Sequence, residues 1–228
     1  MSNMGLTRLT TLSLIYFLTQ ELSNKVVGGQ STRQDQRTFV LQHTNLVPTK
    51  PIFVYVDGEL IEPDSYDIYP QDGRIVFSSP LESTSVTADY HYSFIDVVDA
   101  YRKDILNAPI VAIENVSDSE RGMEIGTNTK LVTAEFRIHI YAATEGQRDD
   151  ITDSIKRALD KTMPIWDFNK GFPVLYGGEI NPSFDANEVV GRMLFEHPSV
   201  IRNPLRSSDR FEVGRAIITV KGEYVDFR

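Results

Sequence analysis

The residues best suited to chemistry are too widely spread along this chain of 228 residues to predict a catalytic site. The four histidines, His43, His91, His139 and His197, lie about 50 residues apart, and none stands at the His-x-x-x-His spacing of a zinc site. The sequence contains no cysteine, which excludes a thiol nucleophile, a thiolate metal site and a disulfide framework. It also lacks the Gly-x-Ser-x-Gly elbow of serine hydrolases. We therefore expect no enzyme activity, no metal and no cofactor.

One acidic cluster has two interpretations. Asp149, Asp150 and Asp153 are close enough in sequence to form a carboxylate metal site. They are also predicted to lie in the first turn of a helix, where each carboxylate stabilises the positive end of the helix dipole by up to about 1 kcal/mol. The sequence favours the role at the helix dipole.

The clearest structural pattern is a strand followed by a helix. From Leu131 to Tyr141, apolar and polar side chains alternate with a period of two, which predicts a strand with one buried face. The opposite face carries four candidates for lining a channel or contacting another subunit, namely Thr133, Glu135, Arg137 and His139. Thr144-Glu145-Gly146-Gln147 then matches a capping box, and an amphipathic helix follows until Pro164.

Further elements surround this unit. Thr7 to Ser23 is predicted to form a packed amphipathic helix rather than a signal peptide, because threonine and serine dilute its apolar run and no cleavage site follows. Gly28 to Arg37 is predicted to be a loop, Phe94 to Leu106 a second helix, and Ile110 to Val116 a buried strand. A last strand, Phe211 to Tyr224, is expected to pair antiparallel beside the central strand.

A long polar segment, Ser117 to Thr129, is predicted to be a loop of a length that indicates function. It contains the sequence Met123-Glu124-Ile125, whose two apolar side chains lie among polar neighbours. These residues are candidates for docking on a partner. In the alternative, the two side chains fold back onto their own sheet, and the sequence favours neither.

The segment from Phe39 to Phe94 consists of short strands and tight turns, with Asp57-Gly58 as the strongest hairpin signal. We therefore predict an α+β protein, with an antiparallel or mixed sheet flanked by helices and a small all-β insert. The predicted domains are 1–35, a helix and loop belonging to the core; 36–95, a small β-sandwich-like insert; and 96–228, the α+β core.

Composition restricts the possible partners. The formal net charge is −9, which argues against a general nucleic-acid binder and against docking on an anionic membrane. The absence of cysteine is typical of a protein from a reducing compartment.

From Ala108 onward, the order of elements resembles the tail terminator, or tail completion, proteins of long-tailed bacteriophages. The resemblance lies in Pro109–Ile113, the acidic loop, Thr133–Tyr141, the helix Asp149–Lys161 and the strand Ala216–Val220, and the N-terminal helix also has a counterpart. The segment between Val56 and Tyr90 is similar to small β modules of phage structural proteins and departs from the compact terminator pattern as an insert.

The resemblance implies a structural virion protein that is assembled in the host cytoplasm and located at the tail and neck. Such a protein forms a ring, by implication of six copies, that caps the tail tube and joins it to the neck. Its partners would be further copies of itself, tube and possibly sheath proteins on one side, and a neck or connector protein on the other. DNA would pass through the channel without specific binding, for which an acidic wall is suited.

Three alternatives are open. The chain could be another component of the head–tail neck or connector. It could be a binding protein whose β module recognises a carbohydrate or host surface, which an exposed row among Tyr55, Tyr66, Tyr69, Tyr90 and Tyr92 would favour. It could also be a hydrolase, which would require a deep pocket with paired acids.

Overall fold

The computed structural model describes residues 5–82, 85–99, 109–123, 129–203 and 214–226. These residues form two compact units. The β unit comprises Ser23–Phe94 and Lys170–Ala186, and the core unit comprises the described residues of Met1–Leu22, Ile95–Asn169 and Asn187–Arg228.

The β unit is built on one antiparallel sheet of seven strands in the order β4-β3-β7-β1-β2-β6-β5. The strands are β1 (Asn24–Arg33), β2 (Thr38–Leu41), β3 (Phe53–Val56), β4 (Glu59–Leu60), β5 (Tyr66–Tyr69), β6 (Arg74–Phe77) and β7 (Val86–Tyr92). A short 3-10 helix, Pro63–Ser65, precedes β5. The apolar faces enclose a common interior that includes Phe39, Ile75, Val54 and Tyr90.

Two turns of the β unit follow directly from their sequences. Asp57 and Gly58 have φ angles of 51° and 87°. Positive φ at both central residues is what a two-residue hairpin turn of type I′ requires, and Asp-Gly adopts it at low cost. In the turn between β5 and β6, Gly73 has a φ of 64°, and the β carbon of any larger residue would lie 2.2 Å from the carbonyl oxygen of His43.

The core unit contains the second sheet, in the order β11-β12-β14-β10-β9-β8, with β13 also pairing with β14. Its elements are α1 (Leu6–Glu21), β8 (Asp96–Asp99), β9 (Ile110–Gly122), β10 (Lys130–Ala142), α2 (Glu145–Leu159), β11 (Met163–Trp166), β12 (Val189–Phe195), β13 (Ser199–Asn203) and β14 (Gly214–Asp226). All pairings are antiparallel except that between β8 and β9.

Three long strands form the centre of this sheet, with β10 between β9 and β14. Val132, Ala134, Phe136, Ile138 and Ile140 of β10 are all buried, which confirms the predicted alternation. The predicted pairing of β14 beside β10 is also confirmed, with Ile138 opposite Ile218 and Phe136 opposite Val220. Helix α1 packs against β8, β9 and β11, and α2 packs against β10 and β14.

The predicted capping box is confirmed at the start of α2. The Thr144 hydroxyl accepts a hydrogen bond from the Gln147 N–H at 3.1 Å. The Gln147 side-chain oxygen in turn accepts from the N–H of Ala143 at 2.9 Å. These two bonds satisfy backbone donors that the helix cannot pair internally, so α2 begins at Glu145.

The predicted fold class is wrong. Strand outweighs helix by 49% to 17%, and the described residues contain only two α-helices, so the protein is better described as mostly β with two curled sheets. Three segments account for the error. The predicted helix Phe94–Leu106 begins instead with β8, in which Val97 and Val98 pair with β9, and residues 100–108 lie outside the described part.

The other two segments were predicted to be loops because they are polar. Gly28–Arg37 largely belongs to β1, which has a register shift between Val26 and Gly29. Residues 117–122 continue β9, paired with β10 along their length. In both cases backbone pairing with a neighbouring strand determines the structure, although the side chains carry no apolar alternation.

Candidate functional site

The polar face of the core sheet holds the residues that the sequence marked as candidates. Side chains of directly paired residues lie on the same face of a sheet. Thr133 is paired with Glu223, Glu135 with Lys221, and Arg137 with Thr219. On the other side, Glu135 is paired with Ser117 and Arg137 with Glu114. The three long strands therefore present one continuous face of polar and charged groups.

This face is not uniformly wet. At the hairpin end, where β9 turns into β10, the residues of β9 on this face are exposed: Ser117, Ser119 and Arg121. At the opposite end, Ile110 and Ala112 lie on the same face and are buried, each 6% exposed. The face thus divides into a wet half near the hairpin and a packed half, and the four candidates are distributed across both.

The wet half carries charge of both signs. Glu135 and Lys221 are half-buried and exposed respectively, and Arg137 is exposed. The Thr133 hydroxyl donates to Glu223 Oε1 at 3.2 Å. On the opposite face of the sheet, near the hairpin end, Lys130 Nζ lies 2.6 Å from Oε2 of Glu120, which is paired with Val132. Alternating charges of this kind give a hydrated surface with no strong attraction for a polyanion.

His139 marks the beginning of the packed half. Its side chain is 14% exposed, and Nε2 lies 3.1 Å from Oε2 of Glu114 on the adjacent strand. The buried Nδ1 has no hydrogen-bond partner in the structure. Beyond it, the guanidinium of Arg215 lies over the ring of Tyr141 at 5.5 Å. His139 is therefore held by its neighbours and does not line a solvent-filled surface as Arg137 does.

One of the proposed docking residues, Met123, is exposed to solvent at the hairpin end. Met123 is 52% exposed, and its N–H donates to the carbonyl oxygen of Thr129 at 3.1 Å. Its side chain is thus not packed fully on its own sheet. The other two candidates, Glu124 and Ile125, lie outside the described residues.

The acidic cluster lies in the body of α2, because the helix begins at Glu145 and that residue is the acid of its first turn, so the predicted role at the helix dipole is wrong. Asp149 accepts hydrogen bonds from Arg148 at 3.0 Å and from Arg202 of β13 at 3.1 Å. These two guanidinium groups, with the Arg148 hydrogen bond as the larger cause, hold the pKa of Asp149 below its usual value. Asp153 lies 4.0 Å from Lys156. Within the described part of the chain, no three acidic or histidine side chains are grouped so as to hold a metal ion.

Comparisons with protein-family models, with curated proteins and with solved structures found no match for this chain. Its function must therefore be argued from its own residues. Neither described helix is both long and apolar enough to cross a membrane.

The tyrosines of the β unit do not form an exposed row. Tyr66 and Tyr90 are buried, at 9% and 1% exposure. The Tyr90 hydroxyl lies 2.8 Å from His43 Nδ1, and Tyr92 stacks on the same imidazole at 3.9 Å between ring centroids. These aromatic groups mainly pack the unit internally.

Sequence reasoning missed one surface, a groove of about 320 Å³ in the β unit. Its charged groups are Lys50, Asp64 and Asp67, and its walls include Phe184. These residues come from separate segments of the chain, and no motif or period connects them. Only the folded chain brings them together.

Proposed function

We propose that this chain is a structural subunit of a bacteriophage tail, which assembles into a ring that caps the tail tube and joins it to the neck. The observation that carries the proposal is the wet half of the core sheet, where three long strands present hydrated groups of both charges around Glu135 and Arg137. Such a face is suited to the wall of a channel through which DNA passes, because it is hydrated and does not bind phosphates tightly.

The net charge of the chain supports the same function. At −9, the protein as a whole repels a polyanion, and two cations of the polar face, Lys221 and Arg137, are paired in register with Glu135 and Glu114. A protein that bound the phosphate backbone of DNA would instead need a surface of lysine and arginine side chains without acidic neighbours.

The hairpin end supports contact with another protein. Met123 is an exposed apolar side chain at the end of two paired strands of 13 residues each. A long antiparallel pair is a stiff support for a contact residue, since its backbone bonds fix the position of the end. We assign this end to the contact with the tail tube or with the next copy in the ring.

The location of the protein in the virion tests the proposal. Antibodies against this chain should label the junction between tail and neck in negatively stained virions, and the purified protein should form closed rings at high concentration. Labelling of tail fibres or baseplate would contradict the assignment. A tight two-fold dimer, independent of concentration in sedimentation, would contradict the ring.

The phenotype of a deletion separates a cap from another neck component. Without a cap, nothing ends polymerisation of the tube, so tails of variable length should accumulate. Loss of a neck component should instead leave tails of normal length that are not joined to heads.

A further inference from the structure

The groove of the β unit lies where a second segment of chain joins the sheet. Strand β5 is at the edge of this sheet, and the N–H of Ile180 donates to the carbonyl oxygen of Ile68 at 2.8 Å. A tight turn from Leu175 to Gly178 precedes this contact, with the Gly178 N–H donating to the Leu175 oxygen at 2.9 Å. The segment 170–186 is thus fixed against β5 and forms one wall of the groove.

The walls of the groove are about half polar and half apolar, and much of the apolar part is stiff. They include Ile52, Phe184 and the prolines Pro51, Pro63 and Pro182. Because proline has a fixed φ angle and little side-chain entropy to lose, a wall of this composition loses little freedom when a ligand binds. The volume of about 320 Å³ is at the lower end of the range found for ligand sites, which suits a few side chains of an extended chain.

The charges of the groove are unbalanced. The carboxylates of Asp64 and Asp67 are exposed, and neither forms an ion pair within the described residues. Lys50 supplies one positive charge to the same groove and likewise has no ion-pair partner there. Two free carboxylates against one ammonium group favour a ligand with at least one positive charge.

We propose that this groove binds an extended peptide segment of another protein, one with aliphatic or proline side chains next to a basic residue. The apolar side chains of the groove would contact the aliphatic groups, and Asp64 and Asp67 would pair with the basic one. A sugar would favour flat exposed aromatic rings, whereas Tyr66 of the groove is buried and Phe184 is half-buried. A phosphate-bearing ligand would be repelled by the two carboxylates. The inference does not depend on the role in the phage tail.

A random heptapeptide library displayed on phage tests the proposal, with the immobilised full-length chain as bait. Selected peptides should combine a lysine or arginine with neighbouring aliphatic or proline residues. Their affinity, measured by fluorescence polarisation, should fall about tenfold for the double variant Asp64→Lys with Asp67→Lys. The variant Ile52→Trp, which fills the groove, should weaken the same peptides at least as much.

A matched control is available on the same unit. Glu59 and Glu82 are exposed acids outside the groove, so Glu59→Lys with Glu82→Lys makes the same change in net charge. These substitutions should leave peptide affinity within about twofold. The proposal is overturned if the library yields no enriched peptides, if the enriched peptides lack basic residues, or if both charge-reversal variants weaken binding equally.

Discussion

The imidazole of His139 on β10 contacts the carboxylate of Glu114 on the adjacent strand β9, with 3.1 Å between Nε2 and Oε2. The two side chains are 14% and 31% exposed, so the contact is partly removed from water. It stands at the boundary between the wet and packed halves of the polar face. A hydrogen bond in this position holds β9 and β10 in register where their side chains change from polar to apolar.

A double-mutant cycle of Glu114→Ala and His139→Ala should give a coupling energy of about 1 kcal/mol, measured by urea denaturation. The reason is that the pair is shielded, so its interaction is not fully replaced by water. The control pair is Glu120 and Lys130 at the exposed hairpin end. Its coupling should not exceed about 0.5 kcal/mol. Equal couplings for both pairs would contradict the idea that shielding from water strengthens the Glu114–His139 contact.

Replacement of Gly73 by alanine should destabilise the protein by at least about 2 kcal/mol. The φ of 64° by itself costs a larger residue about 1–2 kcal/mol, and the new β carbon would also meet the backbone oxygen of His43. Thermal melts or urea titrations would measure the loss. Gly122→Ala is the control, because nothing lies within 4 Å of a β carbon at that position, and its stability should remain within about 0.5 kcal/mol.

Thr144→Ala should lower the free energy of unfolding by about 1 kcal/mol, since it removes the acceptor for the Gln147 N–H at the start of α2. Thr144→Ser retains the hydroxyl and should retain most of the stability. Urea denaturation followed by circular dichroism distinguishes the two variants. Equal stability of Thr144→Ala and the unmodified protein would show that the cap contributes little.

The parts of the fold that depend on residues close together in the sequence could be predicted from it. The Asp57-Gly58 hairpin, the cap at Thr144 and the alternation from Leu131 to Tyr141 each depend on neighbouring residues, so local patterns predicted them correctly. The long strands β1 and β9 depend on pairing with distant segments. Their polar segments were predicted to be loops because a single sequence does not show which strand will pair with them.

The candidate site was predictable only in part. The alternation placed Thr133, Glu135, Arg137 and His139 on one face, and the structure confirms that placement. It could not show that His139 is packed, because the burial of Ile110 and Ala112 on the same face depends on tertiary contacts. The groove with Asp64 and Asp67 was not predictable, since its walls come from segments more than 100 residues apart.

The ion pairs of Asp149 predict a dependence of stability on pH. Its pKa is lower in the folded protein than the ordinary value of 3.8, so the ionised carboxylate stabilises the fold above about pH 4. That contribution is lost as the pH falls through the folded-state pKa. Asp149→Asn should therefore be less stable than the unmodified protein at pH 6, and the difference should shrink below pH 4.

Arg202→Gln removes one of the two partners of this carboxylate and should produce part of the same difference. Urea titrations at several pH values would measure both variants. A difference that is unchanged between pH 6 and pH 3 would show that the loss arises from packing rather than from charge.

The exposed position of Met123 gives the sharpest test of assembly. Its side chain is 52% exposed, so Met123→Ser should leave the melting temperature of the monomer nearly unchanged. If the side chain is buried at an interface, its loss costs about 1.5–3 kcal/mol, which corresponds to about tenfold or more in affinity. The yield of rings in sedimentation, and of tailed infectious particles, should therefore fall.

Leu60 provides the matched control, because it is a comparably apolar side chain, 60% exposed, on strand β4 of the β unit. Leu60→Ser removes similar apolar surface from a different part of the chain and should leave assembly unchanged. Equal losses from both substitutions would indicate that removing any exposed apolar side chain impairs assembly. A lower melting temperature for Met123→Ser, with normal assembly of the folded fraction, would mean that Met123 supports its own sheet and does not dock.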